Sequence, residues 1–135
     1  MKSVKAFVEI GQDGTFGVYM DENDLSYSVV GDGKSAQEAV NDFLKAYSEM
    51  KDYYASHGEV FEEVNFEFEY DIKSFLLYYK PYLTRAGLER LTGINQRQLG
   101  HYLTGIRKPS HKTACRIVSG VSNFGNQLSY SKANI

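Results

Sequence analysis

A chain of 135 residues, 42% hydrophobic and 14% aromatic, can bury a core and is too apolar for a disordered tail. One cysteine excludes an internal disulfide and no His/Cys spacing suits zinc, so a reducing, cytoplasmic setting without metal or cofactor is expected. The net charge of −2 would argue against nucleic acid, but it conceals a division: residues 1 to 71 carry five Lys/Arg against sixteen Asp/Glu, and residues 72 to 135 carry ten against one, Glu89.

Segments at −11 and +9 read as two domains, 1–71 and 72–135, with two kinds of partner. The basic one has the footprint of a phosphate binder, and the acidic one suits a basic protein. Two oppositely charged faces that merely keep the chain soluble are the plainer alternative. The opening MKSVKAFVEI lacks a secretory apolar run, and no stretch approaches 18 uncharged apolar residues, so neither export nor membrane insertion is expected.

In chain order, Val4, Ala6, Val8 and Ile10 alternate with polar residues and predict a strand. Gln12-Asp13-Gly14 predicts a hairpin turn, because glycine supplies the positive φ such turns need. Phe16, Val18 and Met20 predict a second strand, and Tyr27 to Gly31 a third, giving an antiparallel meander. Ser35 with Glu38 forms a capping box, and Ala39, Val40, Phe43, Tyr47, Met50 and Tyr54 recur at helical spacing, so a helix runs over about 35–56. Val64, Phe66, Phe68 and Tyr70 alternate with Asn65, Glu67 and Glu69 in a fourth strand. The order β-β-β-α-β implies one helix laid across one face of a sheet. A magnesium nuclease would need carboxylates converging on one point, whereas Glu67 and Glu69 point away from the aromatic side and read as solvated. No catalytic residue is assigned and the chain is expected not to be an enzyme.

From Ile72 the period becomes helical. Phe75, Leu76, Tyr79 and Leu83 predict a helix interrupted by Pro81. Thr84 caps a short helix with Leu88 and Leu91 inward, Thr92-Gly93-Ile94 makes a turn, and Asn95 with Gln98 caps a helix over 95–104. In that helix Leu99, Tyr102 and Leu103 face inward, while Gln96, Arg97, Gly100 and His101 share the other side. Gln, Arg and His are side chains that pair with purine edges in the major groove, and Gly100 would let the backbone approach the bases. Arg85, Arg107, Lys108 and Lys112 would grip phosphates. Ser110 caps a last helix whose apolar row is Ala114, Ile117, Val121, Phe124 and Leu128. A polar face on a short helix is ordinarily just solvated. Two capped helices, a Gly-Ile turn and a strongly basic segment together point to double-stranded DNA.

The stretch LTRAGLERLTGINQRQLGHYLTGIRKPS, Leu83 to Ser110, resembles the lambda-repressor-like or Cro-like helix-turn-helix. That resemblance implies base contacts from Gln96, Arg97 and His101 and phosphate contacts from the basic loop. The family favours a small residue where this chain has Glu89, so an unusual angle between the two helices is expected. The acidic half, with its DGTFGVYM hairpin and the GDGKSAQEAV segment leading to the helix, resembles the HicB-type antitoxin domain. The whole is similar to a HicB antitoxin: an α+β protein with a HicB-like, degraded ribonuclease H-like domain followed by an all-α helix-turn-helix domain. The resemblance implies a non-enzymatic antitoxin and autorepressor that binds a HicA-like RNA-cleaving toxin and operator DNA as a homodimer or tetramer. No residue within 1–71 can be matched to toxin contact. A stand-alone regulator whose N-terminal domain senses a ligand, with some of the eleven tyrosines lining a pocket, is the alternative.

Overall fold

In the computed structural model, which describes residues 1–135, the elements run β1 (Lys2–Ile10), β2 (Phe16–Met20), β3 (Val30–Gly33), α1 (Ala36–Ser56), β4 (Val64–Tyr70), α2 (Ile72–Tyr79), α3 (Arg85–Thr92), α4 (Gln96–Thr104) and α5 (His111–Tyr130). The protein is thus mixed α+β, with one four-stranded sheet and five helices. No helix is long and apolar enough to cross a membrane. The chain divides into two compact units, Met1–Tyr78 and Tyr79–Ile135.

In the first unit the strand order is β3-β2-β1-β4, antiparallel except that β4 runs parallel to β1. The β1–β2 hairpin closes where Gly14, at φ 82°, donates to the Gly11 carbonyl at 3.1 Å. Parallel pairing of β1 with β4 needs a crossover, and α1 supplies it. Ser35 caps α1 by accepting from the Glu38 N–H at 3.1 Å, and the Glu38 carboxylate accepts from the Lys34 N–H at 2.9 Å. The apolar stripe of α1, Ala36, Ala39, Val40 and Phe43, lies on Ala6, Val8, Phe16, Val18 and Val29. Phe43 meets Phe66 and Phe68 edge-on at 4.8 and 5.8 Å between ring centroids.

Two expectations need correction. The third strand does not span Tyr27 to Gly31. Its ladder with β2 begins only at Tyr19↔Val30 and runs on to Phe16↔Gly33. Tyr27 and Val29 are buried before that ladder starts, Tyr27 stacking on Phe61 at 4.5 Å and donating to the Glu62 carbonyl at 2.7 Å. The charge boundary after Asp71 also falls short of the packing boundary. Asp71 caps α2 by accepting from the Ser74 N–H at 2.7 Å, Leu77 and Tyr78 pack against the sheet–helix core, and Tyr70 meets Phe75 and Tyr78. The first unit therefore keeps α2, which ends at Tyr79, two residues before Pro81. Counted to Tyr78 it has six Lys/Arg and sixteen Asp/Glu, a net of −10, and the second unit has nine against one, a net of +8.

In the second unit α3 packs against both α4 and α5. Leu88, Ile94, Leu99, Tyr102, Leu103 and Ile117 are buried. Gly120 brings α5 close to the end of α3: a Cβ there would stand 2.4 Å from the Leu91 carbonyl oxygen.

Candidate nucleic-acid interface

The site rests on the α3–turn–α4 corner, and local chemistry fixes that corner at each step. Thr84 caps α3, accepting from the Gly87 N–H at 3.0 Å. The helix stops at Gly93, whose φ of 75° is left-handed and whose N–H returns to the Glu89 carbonyl at 2.8 Å. Thr92, buried, donates to the Leu88 carbonyl at 2.7 Å and accepts from the Ile94 N–H at 3.2 Å, which carries Ile94 inward. Arg116 of α5 donates to the Thr92 carbonyl at 3.2 Å. A cation at the carbonyl end of α3 is favoured electrostatically. Sequence reading missed this role, and only the known preference for cations at helix C-termini could have suggested it.

Asn95 caps α4, its side chain accepting from the Gln98 N–H at 2.9 Å. Glu89 reaches across the turn and accepts from the Gln96 N–H at 3.1 Å. The only carboxylate of the second unit is thus placed at the amide end of α4, where negative charge is stabilising. Two of that helix's free amide hydrogens are already taken, so anion contacts there fall mainly to side chains.

Gln96 and Arg97 stand exposed on the first turn of α4, and His101, one turn on, is half-buried. Leu99, Tyr102 and Leu103 point inward. Arg107, Lys108 and Lys112 are exposed after α4, and the Arg107 N–H donates back to the His101 carbonyl at 3.4 Å. The basic loop therefore begins beside His101.

Gly100 departs from its expected role as an open gap for the backbone, because it is buried. A Cβ there would stand 2.8 Å from Nη1 of Arg85 and 3.1 Å from its Cζ. The Arg85 guanidinium lies over Gly100, and glycine is the residue that leaves room for it. Arg85, one of the expected phosphate contacts, is thus packed directly against α4.

The acidic unit offers a different surface. Glu67 and Glu69 are exposed on the sheet face away from α1, with Glu69 paired to Lys5 at 3.1 Å and Lys51 paired to Glu63. Tyr27, Tyr47 and Tyr54 gather around Phe61, with centroids 4.5 to 5.4 Å from it, and pack as an aromatic cluster. Burial, then the neighbouring Tyr47 oxygen, hold the Tyr27 hydroxyl well above the ordinary tyrosine pKa, so it stays a neutral donor. No family model, curated protein or solved structure matches the chain.

Proposed function

We propose that this protein is a sequence-specific DNA-binding repressor whose second unit reads operator DNA through α4. The observation that carries the reading is the exposure of Gln96 and Arg97 on a doubly capped helix, next to Arg85, His101, Arg107, Lys108 and Lys112, in a unit at +8. Arg97 pairs with guanine, Gln96 with adenine, and His101 donates to a purine N7, while Arg85, Arg107, Lys108 and Lys112 hold phosphates. The protein acts as a homodimer or tetramer on an inverted repeat with half-sites about 34 Å apart or a multiple of that.

Within this reading the first unit is the antitoxin part, and no catalytic residue is needed. A toxin that grips RNA presents basic surface, and a domain at −10 competes for it and is steered toward it. Co-purification with a small basic protein encoded beside it, lost in high salt, tests that part. Recovery of the chain alone when the two are co-expressed leaves a stand-alone regulator.

Fluorescence anisotropy with the protein's own promoter DNA tests the DNA part, and sequence-independent binding would sink it. Arg97→Ala is expected to cost about 1–3 kcal/mol on the preferred site and to relax preference at one position. Lys108→Ala weakens all sequences alike. Gly100→Ala is informative because its methyl meets only the end of a flexible side chain. Its thermal stability holds or rises by up to about 1 kcal/mol through helix propensity. Its DNA affinity falls toward that of Arg85→Ala, a loss of about 1.5–3 kcal/mol for one hydrogen bond to a charged group. Unchanged affinity in Gly100→Ala would remove Arg85 from the interface.

A further inference from the structure

The last helix outruns the unit that holds it. Its first half is fixed: Ser110 caps it by accepting from the Thr113 N–H at 3.2 Å, Arg116 binds the Thr92 carbonyl, Ile117 is fully buried, and Gly120 lies on the backbone of Leu91. Beyond Gly120 the packing falls away. Val121 and Phe124 are half-buried, Leu128 is 57% exposed and Val118 42%, and open space stands where a Cβ of Gly125 would be. Ile117, Val121, Phe124 and Leu128 recur at intervals of four, three and four, so they share one face of α5. The stripe buried at Ile117 therefore runs out into solvent by Leu128.

A helical extension of this kind needs cover. It contains Gly120, Gly125, three serines and two asparagines, all weak helix formers, and isolated helices shorter than about 12–15 residues are marginal in water. Its order must come from burying the apolar stripe. Charge identifies the occupant. Residues 117–131 carry no ionisable Lys, Arg, Asp or Glu, in a unit that elsewhere holds nine cations and one carboxylate. DNA finds no phosphate partner along this seam, and an acidic protein gains nothing from it. Two copies of this seam can meet without opposing like charges, since neither brings an ionised Lys, Arg, Asp or Glu to it. Gly125 also lets two helices approach closely.

We infer that the C-terminal half of α5, Val118–Tyr130, is a homodimer interface in which the Val121–Phe124–Leu128 stripes of two copies face each other across a two-fold axis. The association itself does not depend on DNA binding. Its consequence, two α4 helices held as a pair for an inverted repeat, rests on the function proposed above.

Sedimentation equilibrium of the full chain tests it. The wild type sediments at twice the 15.3 kDa of one chain, and Leu128→Glu and Phe124→Glu shift it to 15.3 kDa. Leu128 is exposed, so its replacement leaves the fold intact, which the circular dichroism spectrum checks. Asn126→Glu adds the same charge on the opposite side of α5 and leaves the dimer whole. A monomeric wild type, a Leu128→Glu protein that stays dimeric, or equal dissociation by Asn126→Glu overturns the interface. Arg97→Ala remains dimeric, whereas monomeric Leu128→Glu keeps its base preference on a single half-site and loses the gain from the second. If no form binds DNA while the masses behave as stated, the DNA reading fails and the interface stands.

Discussion

Gly31→Ala lowers the stability of the first unit by the upper end of the about 1–3 kcal/mol usual for overpacking, or more, while Gly17→Ala stays within about 0.5 kcal/mol of wild type. Both glycines lie in the same sheet, on neighbouring strands, and neither has a positive φ. They differ in what a methyl group would meet. At Gly31 it would stand 2.4 Å from the Phe43 backbone nitrogen, 2.5 Å from the Ala39 carbonyl oxygen and 2.7 Å from the Phe43 Cβ. Backbone cannot swing aside as a side-chain tip does, so β3 and α1 must separate. At Gly17 nothing lies within 4 Å. Gly33 repeats the arrangement one step along, 2.6 Å from the Glu38 Cβ and 2.7 Å from the Ala39 nitrogen, so β3 presents two glycines to the first turns of α1. Urea denaturation followed by circular dichroism measures the difference. Equal midpoints for the two variants would show that α1 does not lie against β3 as closely as described.

This contrast also marks what the sequence could reveal. Caps, turns and periodicity depend on residues a few positions apart, so Ser35, Thr84, Asn95 and Ser110 were legible as helix starts, and Gly93 as the left-handed stop. The tertiary reasons for a residue were not legible. Gly31 and Gly33 stand just before the Ser35 cap of α1, yet nothing local says that they admit a helix to within contact of a strand. The third strand differs for a related reason: Tyr27 and Val29 are buried without belonging to the ladder, which starts at Val30. Charge located a boundary at Asp71, but packing carries α2 with the sheet. In the candidate interface, helical spacing grouped Gln96, Arg97 and His101, all local to α4. It could not foresee that Arg85, from another helix, lies over Gly100, or that Glu89 caps α4 across the turn. The spacing of Ile117, Val121, Phe124 and Leu128 marks an apolar row on α5, but periodicity does not say how much of such a row is buried, and only Ile117 is fully so.

On the DNA-binding function proposed above, affinity for the preferred site is expected to fall about 10⁴-fold between about 50 and 200 mM salt. On that reading four side chains per copy, Arg85, Arg107, Lys108 and Lys112, would meet phosphate, eight in a dimer. At about −0.9 per phosphate these give a slope of log affinity on log salt near −7. The chain's net charge of −2 predicts almost no such dependence, so the measurement separates a protein that acts through its average charge from one that presents its +8 unit alone. The slope also counts copies. Lys108→Ala removes one contact from each chain, making the slope shallower by about 1.8 if two copies bind and by about 0.9 if one does. Arg97→Ala leaves the slope almost unchanged while losing preference for the operator, because a base contact releases no counterion. Anisotropy titrations at four or more salt concentrations supply all three numbers, and a slope near zero for the wild type would leave the basic face of the second unit without phosphate to hold.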